Sequence, residues 1–508
     1  MFNKHLTVGK QLVRAAWRYP DKEALVCKGK RLTYRELNDR VNSLAHGLME
    51  LGIRKGDFVA VILMNRSEFV ETYFALAKIG AIAAPQNYRL DRDSIEQLIN
   101  QCEAKALIYE SGFKELVDAM RPNLGSVKHY IVVGGEAGDA VPYERLATGY
   151  STEEPEVEIL QDDPQYLNYT SGTTGLPKAS LMTHYHNIMV IIPVIMELGL
   201  DSSWVLLTVF PLFHRVGWAT VLGGVITGCK NVITEIEPKE ILEAIEKEKV
   251  NYVNLVPIIT SLLMMAPDFE KYDLSSLRII VYASALLTKE VREATYKHFT
   301  ENIAEYYGST DTALLTWCNP EMKRVKPTSL GTPTFGVELR IVDEKGRDLP
   351  VGEIGEIICR APSFNPEYYK NPEKTREVFR DGWFHMGDLG RFDEDGHLYV
   401  VGRVEDMIIS GTDRIFAPEI EDLLTSHPKV QDCAVIGLPD ENLGKIVTAV
   451  IVPQPGESVS EQEIIEFCKD KLEEFKVPKR VRITDSIPRT ATGKILKYQL
   501  EEQFSQEN

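Results

Sequence analysis

Short apolar segments, typical of buried strands, alternate with helical stretches along the first part of the chain. The strand candidates are FVAVIL (58–63), ALIY (106–109), YIVV (130–133), WVLLTVF (204–210), NVIT (231–234), YVNLVP (252–257) and LRIIVYA (277–283). Strands that alternate with helices pair into parallel sheets. The pattern therefore predicts a large α/β body.

The clearest helix signals lie on either side of the first of these strands. Thr33 and Glu36 have the spacing of a capping box, and apolar residues then recur at helical period until Gly52 ends the helix. The segment from Ser67 to Ile79 is predicted to form a second helix, followed by Gly80 and the apolar run AIAA. Helix and strand thus follow each other closely here.

The rest of the chain has a different pattern. From about Thr332 to Gly402, Gly and Pro turns separate short alternating segments such as VELRIVD and EIGEIICR, which predicts an antiparallel or barrel-like β-rich subdomain. Beyond it, the predicted elements are helices at 418–426, after Ser460 and from Gly493, and strands DCAVIGL, IVTAVIV and VRIT. These predict a small, separate α+β unit.

Composition excludes several classes of protein. The chain has 508 residues, enough for about three domain-sized units. Its 57 Lys and Arg against 75 Asp and Glu give a net charge of −18, which disfavours nucleic acid as a partner. The seven cysteines stand singly, which favours a reducing cytoplasm. The longest apolar run, 188–196, contains Pro193, so no transmembrane segment is predicted.

The segment YTSGTTGLPKAS (169–180) is the most informative one for chemistry. Glycines let backbone N–H groups approach an anion, hydroxyls add hydrogen bonds and a lysine adds charge, so such a loop can hold a triphosphate. Pro177 stands where a Walker loop would need Gly. A plain surface turn is the alternative. The candidate ATP-binding residues are Thr170, Ser171, Gly172, Thr173, Thr174 and Lys178.

TSGTTGLPK resembles the phosphate-loop signature of the adenylate-forming superfamily, which includes acyl-CoA synthetases, peptide-synthetase adenylation domains and beetle luciferases. Further segments match that family in order along nearly the whole chain. They are PLFH (211–214), YYGSTD (306–311), GD (387–388), GRVEDMIISG (402–411), APEIE (417–421) and PRTATGK (488–494). The chain is most similar to an acyl- or aryl-CoA ligase.

The resemblance implies that a carboxylate attacks the α-phosphate of ATP, giving an acyl-adenylate and pyrophosphate, and that the acyl group then passes to a thiol. Lys494 resembles the family lysine that bridges the carboxylate and the α-phosphate. Asp388 and Arg403 resemble the pair that binds the ribose. The alternatives are that Lys494 is an ordinary solvated lysine and that Asp388 and Arg403 form a structural salt bridge.

Two segments resemble the adenine and metal sites of the family. Tyr307 resembles the aromatic residue that stacks on adenine, opposite the small residues Ser284 and Ala285. Thr310 and Asp311 stand where the family has Thr-Glu, whose acidic residue binds Mg²⁺. Asp311 is one methylene shorter than Glu, so the resemblance implies that the metal is reached either through water or with an altered geometry.

Two further positions depart from the family pattern. Ala179 replaces a common glycine, and Met386 replaces a hydroxyl residue that commonly precedes Gly-Asp. Neither change removes a charge from the site.

The resemblance also implies a gate and a hinge. His214 resembles the aromatic gate between the carboxylate pocket and the channel for the second substrate, with packing alone as the alternative. Glu405 falls at the family hinge, about which a small mobile C-terminal domain swings. The predicted domains are therefore residues 1–404, an adenylation body whose β-rich subdomain covers about 332–404, and residues 405–508, a lid that carries the catalytic lysine.

For the thiol acceptor, Gly411 would let the backbone lie close to a pantetheine arm. Lys476 and Lys479, with Arg480, would supply cations for the phosphates of coenzyme A. Solvated basic residues are the alternative. Leu443 stands where the family often has an aromatic residue, which weakens the case for stacking on the CoA adenine.

The prediction is an ATP- and Mg²⁺-dependent carboxylate:CoA ligase for an apolar fatty or aromatic acid. An acidic side chain to pair with an amino-acid ammonium is not evident in the segments that would line the acyl pocket. Two alternatives stay open: an enzyme that loads a carrier-protein phosphopantetheine, and a nucleotide-binding protein that has lost activity. A homodimer is also left open.

Overall fold

The computed structural model of the chain describes residues 4–170, 178–285, 287–364, 367–411, 413–440, 443–489 and 495–505. Contacts divide the chain into two compact units, Met1–Glu338 with Arg360–Phe379, and Leu339–Cys359 with Arg380–Asn508. This division groups much of the predicted β-rich subdomain with the C-terminal residues. The hinge at Glu405 stays a prediction.

Helices and strands alternate along the first unit. The first elements are α1 (Val8–Arg18), β1 (Glu23–Cys27), β2 (Lys30–Thr33), α2 (Tyr34–Glu50), β3 (Phe58–Ile62), α3 (Ser67–Ile79), β4 (Ile82–Pro85), α4 (Arg92–Gln101), β5 (Ala106–Glu110), α5 (Lys114–Met120), β6 (His129–Val133), β7 (Val141–Pro142), α6 (Tyr143–Thr148), β8 (Pro164–Thr170) and β9 (Lys178–Thr183). The following ones are α7 (His184–Leu198), β10 (Val205–Thr208), α8 (Arg215–Thr227), β11 (Lys230–Ile233), α9 (Pro238–Glu248), β12 (Tyr252–Leu255), α10 (Pro257–Met264), β13 (Ile279–Tyr282), α11 (Lys289–His298), β14 (Ile303–Ser309), β15 (Ala313–Cys318), α12 (Pro320–Val325), β16 (Thr332–Pro333) and α13 (Pro372–Val378).

These strands form two largely parallel sheets. One has the order β7-β6-β5-β3-β4-β8-β9, in which β8 and β9 are antiparallel. The other has the order β16-β15-β14-β13-β12-β10-β11-β1-β2, with antiparallel pairs at its two ends. One core contains residues of both sheets together with α2, α3 and α8. The outer faces pack on α4 and α5 in one sheet and on α9, α10 and α11 in the other.

The local sequence signals explain how the first helices begin and end. The Thr33 hydroxyl accepts a hydrogen bond from the Glu36 amide, and the Glu36 carboxylate accepts one from the Thr33 amide, which confirms the predicted capping box. Helix α3 ends at Gly80, whose φ of 72° is in the left-handed region that favours glycine. The predicted large α/β body is confirmed.

The second unit contains the antiparallel sheet that the turn-rich segment predicts. Its elements are β17 (Glu338–Val342), β18 (Gly355–Arg360), β19 (Phe379–Arg380), β20 (Trp383–Phe392), β21 (Leu398–Arg403), β22 (Met407–Ser410), β23 (Asp413–Phe416), α14 (Ala417–Thr425), β24 (Val430–Asp440), β25 (Gly444–Pro453), α15 (Glu461–Lys469), β26 (Arg480–Ile483) and α16 (Lys497–Ser505). Strands β17 to β21 form one sheet, and β22 to β26 form another.

The last helix begins later than the sequence predicts. Gly493 lies outside the described residues, and Ile495 forms an antiparallel bridge with Arg489, so the helix begins at Lys497. The Ser460 hydroxyl accepts from the Glu463 amide and caps α15 as predicted. None of the helices in the described part of the chain combines the length and the apolar character that a membrane-spanning helix needs.

Candidate active site

The two strands that flank the candidate phosphate loop form an antiparallel hairpin. Thr170, the last residue of β8, lies opposite Lys178, the first residue of β9. The loop between them, with the candidates Ser171, Gly172, Thr173 and Thr174, lies outside the described residues. The hairpin therefore brings the two ends of this loop together at one edge of its sheet.

A tight turn joins β14 to β15 and carries Thr310 and Asp311. The Ser309 amide donates to the Thr312 hydroxyl and the Thr312 amide donates to the Ser309 hydroxyl, each at 3.2 Å. A Cβ atom on Gly308 would lie 1.7 Å from the Ala313 carbonyl oxygen, so only glycine fits there. These contacts fix the position of the turn.

The side chain of Arg215, the first residue of α8, holds this turn in position through hydrogen bonds. Its guanidinium donates to the carbonyls of Thr310, at 3.0 Å, and Asp311, at 2.8 Å. It also donates to the carbonyl of Ser363, and the Asn168 amide donates to Thr310 at 2.9 Å. The Arg215 side chain is 3% exposed. One buried cation thus ties the 310–311 turn to a second loop.

The Asp311 carboxyl group is close to Lys178 and Tyr368. Burial raises its pKa, while a hydrogen bond from the Tyr368 hydroxyl and the charges of Arg215 and Lys178 lower it. The Lys178 ammonium lies over the Tyr368 ring, 5.9 Å from its centre. Burial lowers the pKa of Lys178. The structure therefore brings the metal candidate Asp311 next to the lysine of the phosphate loop.

The Asp311 carboxylate fits a cation. Its Oδ1 atom is buried and has no hydrogen-bond partner in the described part of the chain. No cluster of three or more His, Cys, Asp or Glu side chains suited to a metal occurs among the described residues. One carboxylate is the donor set expected for Mg²⁺ that keeps its waters and is bound mainly by substrate phosphates.

His214 caps the N-terminus of α8. Its Nδ1 atom accepts from the Val216 amide at 3.3 Å, and its ring stacks on Phe210 with centroids 6.2 Å apart. Burial, with the neighbouring Arg215 charge, lowers the pKa of His214 to about 4, so the ring is neutral near pH 7. Gly217 allows the close turn here, because a Cβ atom would lie 2.5 Å from the Pro211 carbonyl oxygen.

The residues proposed for adenine lie at the ends of neighbouring strands. Tyr307 is buried in β14, and Ser284 and Ala285 are exposed directly after β13. Ser284 has a φ of 71°. Tyr282 is a structural residue, because its hydroxyl is within hydrogen-bonding distance of Thr260, at 2.7 Å, and Thr295, at 2.8 Å.

The second unit brings the two ribose candidates together. Asp388 in β20 is the register partner of Arg403 in β21, and Arg403 Nε lies 3.1 Å from Asp388 Oδ1. Arg403 also lies 3.5 Å from the carboxylate of Glu405. Gly387 has a φ of 68°. Met386 is buried, with its sulfur 3.8 Å from Cys359 Sγ, so this departure from the family pattern fills an apolar site.

The residues proposed to bind coenzyme A differ in the contacts that they already make. Gly411 has a φ of 62°, and its amide donates to the Leu443 carbonyl at 2.8 Å. The Lys476 ammonium lies 2.8 Å from both Glu419 and Glu473, so its charge is already paired. Lys479 donates to the Glu474 carbonyl at 3.4 Å. Lys494 lies outside the described residues.

Sequence reasoning did not identify Arg215, Tyr368 or Asn168. Arg215 directly follows His214, and a charged residue inside the apolar stretch of α8 is a signal that could have found it. Tyr368 and Asn168 are distant in sequence from the turn that they contact and carry no such signal.

Family models match both parts of the chain. The model described as AMP-binding enzyme matches residues 12–369, and the model described as AMP-binding enzyme C-terminal domain matches residues 419–494. The first match alone covers more than half of the chain. The resemblance stated from the motifs is therefore confirmed.

Individual relatives agree with the family models. The chain is 34% identical over 503 residues to a feruloyl-CoA synthase of Amycolatopsis sp., covering 98% of this chain and 99% of the relative. It is 33% identical to the long-chain-fatty-acid–CoA ligase FadD13 of Mycobacterium tuberculosis, covering 94% and 93%. The solved anthranilate CoA ligase AuaEII, in complex with anthranoyl-AMP, is 28% identical with a TM-score of 0.87, covering 98% and 97%. The chain belongs to the AMP-binding enzyme family and is an acyl-CoA synthetase.

Proposed function

We propose that this enzyme is an ATP- and Mg²⁺-dependent carboxylate:CoA ligase for an apolar fatty or aromatic acid. Enzymes of its family use ATP and CoA as substrates. The observation that carries the proposal is the environment of Asp311, whose buried Oδ1 atom lacks a partner among the described residues. Lys178 and Tyr368 lie beside the same carboxyl group.

In the first half-reaction, a carboxylate oxygen of the acid forms a bond to the α-phosphorus of ATP. The bond from that phosphorus to the bridging oxygen breaks, and pyrophosphate leaves. Lys178, with the loop residues 170–174, would bind the phosphates, and Asp311 would hold Mg²⁺, which would supply positive charge to neutralise the phosphate oxygens. Thr310, at the same turn, is proposed to contact the adenylate. Arg215 keeps this turn in position through its carbonyls.

Other residues of the proposed site contact the nucleotide or offset charge during adenylation. Tyr307, Ser284 and Ala285 are assigned to adenine, and Asp388 with Arg403 to the ribose. Lys494 offsets charge on the oxygens during adenylation. In the second half-reaction the thiol sulfur forms a bond to the acyl carbon, the bond from that carbon to the phosphate oxygen breaks, AMP leaves with that oxygen, and the thiol proton passes to solvent.

The proposed roles in the second half-reaction concern motion and the thiol. Glu405 is the hinge of the C-terminal lid, and His214 is the gate to the channel for the thiol. Gly411, Lys476 and Lys479 are the proposed contacts of CoA. Because Lys476 is already paired with two carboxylates, binding of a CoA phosphate there requires those ion pairs to open.

The test is pyrophosphate release with ATP and a panel of carboxylic acids, from acetate through fatty to aromatic acids, with and without CoA and with and without Mg²⁺. We expect CoA-dependent turnover of one class of acid that EDTA abolishes and Mg²⁺ restores. Asp311→Asn is the matched variant and is expected to raise the Mg²⁺ requirement. Adenylate formation without use of CoA would favour a carrier-protein thiol, and no reaction with any acid would reject the ligase.

A further inference from the structure

The second sheet of the first unit has a topological switch point between β10 and β12. From β10 the chain continues to β11 on one side and returns to β12 on the other side. In open α/β sheets, ligands bind in the crevice at the carboxyl ends of the strands at such a point. A ligand of this sheet is therefore expected at the carboxyl ends of β10 and β12.

Thr208 ends β10, and Asn254 lies one residue before the end of β12. Leu206 pairs with Tyr252, so two residues further along, Thr208 stands beside Asn254 on the same face. Both side chains are buried, with exposed fractions of 2% and 5%. Within the described residues, the Thr208 hydroxyl oxygen and the Asn254 Oδ1 atom have no hydrogen-bond partner.

Two neighbouring polar atoms without partners destabilise a protein interior, because each has lost its hydrogen bonds to water and has gained none within the protein. The neighbouring strand residues Leu206 and Tyr252 belong to an apolar and aromatic cluster that also contains Val281, Ala304, Leu314 and Trp317. The Tyr252 side chain also hydrogen-bonds Asn254, but it leaves the Asn254 Oδ1 atom without a partner among the described residues. A ligand that brings its own hydrogen-bonding group into this place would satisfy both atoms.

Two aromatic rings line the same face. The rings of Tyr306 and Trp317 are stacked, with centroids 6.4 Å apart and planes within 6°. The Tyr306 hydroxyl accepts from Asn254 Nδ2 at 3.3 Å. Parallel aromatic rings with polar groups beside them pack better against a planar ring than against a long flexible chain.

This cluster lies close in the chain to the candidate active site. The segment that follows β10 ends at His214, and Tyr306 precedes Tyr307 and the turn with Asp311 on β14. Strands β10 and β14 of this sheet therefore also lead into the candidate active site at their carboxyl ends. A ligand at the cluster would be the acyl part of the acid, with its carboxylate toward the phosphates.

We infer that Asn254 and Thr208 select an aromatic carboxylic acid that carries a hydroxyl group on its ring. The inference rests on the proposed ligase function and specifies its substrate. A hydroxyl both donates and accepts, so it can pair with the free atom of the Asn254 amide whichever way the amide is turned, and with the Thr208 hydroxyl. A saturated fatty acid offers neither atom a partner.

The test compares pairs of acids that differ only in the ring hydroxyl. The three pairs differ in the length of the linker between the ring and the carboxyl group. The pairs are benzoic and 4-hydroxybenzoic acid, 3-phenylpropanoic and 3-(4-hydroxyphenyl)propanoic acid, and cinnamic and 4-hydroxycinnamic acid, with octanoic acid as the aliphatic probe. The readout is kcat/KM for CoA-dependent pyrophosphate release. We expect at least one hydroxylated acid to exceed its partner by about tenfold or more.

The variants are Asn254→Leu and the milder Thr208→Val. Each is expected to reduce the ratio of kcat/KM for the hydroxylated acid to kcat/KM for its unsubstituted partner toward unity. Thr234→Val is the matched control, because Thr234 also has a buried unpartnered hydroxyl but follows Ile233, the register partner of Thr208, and so faces the other side of the sheet. The thermal midpoint of each variant reports whether it is folded.

Equal use of the two members of every pair, or a higher kcat/KM for octanoic acid, would overturn the inference while the ligase function stands. A hydroxyl preference that survives in both variants would also overturn it, because other residues would then read the hydroxyl. If no acid, including the wider panel, supports pyrophosphate release, the proposed function fails and the inference fails with it.

Discussion

The guanidinium of Arg215 donates a hydrogen bond of 2.8 Å to the main-chain carbonyl of Asp311. The same group holds the carbonyl of Thr310 at 3.0 Å. A residue directly after the proposed gate His214 therefore positions the turn that carries the proposed metal ligand. The gate and the metal site share one structural support.

The first prediction concerns Arg215→Met, which removes this support. The carbonyls of Asp311 and Ser363 lose their donor, whereas the Thr310 carbonyl keeps the bond from the Asn168 side chain; an unpaired buried polar group costs roughly 1–3 kcal/mol. We expect a loss of several kcal/mol in the free energy of unfolding and an increase in the KM for Mg-ATP. Denaturant unfolding and initial rates of pyrophosphate release measure the two effects.

Arg215→Lys is the conservative comparison. It keeps the charge but has no planar fork to reach two loops at once, so we expect partial recovery of stability with the Mg-ATP defect retained. Full activity in both variants would mean that the turn is held by Asn168 and the Ser309–Thr312 contacts alone.

The second prediction concerns the pH dependence of adenylation. Burial raises the pKa of Asp311, and the hydrogen bond from Tyr368 lowers it. Tyr368→Phe removes that bond, so the pKa should rise further and a larger fraction of Asp311 should be protonated at a given acidic pH. We expect the acidic limb of the rate of pyrophosphate release to move to higher pH.

Tyr369→Phe is the control for this variant. The Tyr369 ring packs against Phe58, with centroids 5.5 Å apart, and is not among the groups that shift the pKa of Asp311. Its pH profile should match that of the unmodified enzyme. An unchanged profile in Tyr368→Phe would show that ionisation of Asp311 does not limit the reaction.

The sequence predicts the elements better than the contacts between them. The capping box of α2, the glycine end of α3 and the strand cores at 106–109 and 130–133 follow from local residue patterns, and the structure contains all of them. Residue patterns carry this information because helix ends and buried strands depend on neighbouring residues.

The site contacts that sequence reasoning missed are long-range. Arg215 reaches Ser363 and Tyr368 reaches Asp311 only because the chain returns to the same place. The end of the last helix shows a related error: Gly493 looked like a helix start, but pairing of Ile495 with Arg489 delays the helix to Lys497. The two bridged residues are close in sequence, so this error, unlike the others, concerns local pairing that helix propensity alone does not report.

The third prediction concerns stability at acidic pH. Burial lowers the pKa of His184, His186 and His214 from 6.5 to about 4 in the folded protein. The unfolded chain therefore binds more protons than the folded chain between these values. The stabilisation is complete above pH 6.5 and is lost as the pH falls toward 4, at up to about 1.4 kcal/mol per pH unit for each histidine.

Denaturant unfolding at intervals between pH 7.5 and 5 measures this slope. His184→Asn should reduce the slope by about one histidine's share; the Asn Oδ1 atom, attached to Cγ as Nδ1 is, can still accept the bond that His184 Nδ1 accepts from the Val8 amide at 3.2 Å. A free energy of unfolding that is flat over this range would contradict burial of the neutral rings.

The last prediction separates the two half-reactions through Lys494. If this lysine offsets charge that develops only during adenylation, Lys494→Ala should lower the rate of pyrophosphate release by at least 10²-fold, as for the loss of one electrostatic donor. Thioester formation from supplied acyl-AMP should change much less, because the charge that the lysine offsets belongs to the first step.

Lys497→Ala is the matched control, since it removes a nearby lysine whose charge is paired with Glu421 at 2.8 Å. Its loss should cost some stability of the second unit and leave the ratio of the two half-reaction rates unchanged. If Lys494→Ala slows both half-reactions equally, the lysine positions the C-terminal residues in general. If it slows thioester formation alone, its charge acts on the thiol step, and the residue that offsets charge on the α-phosphate must be sought at Lys178.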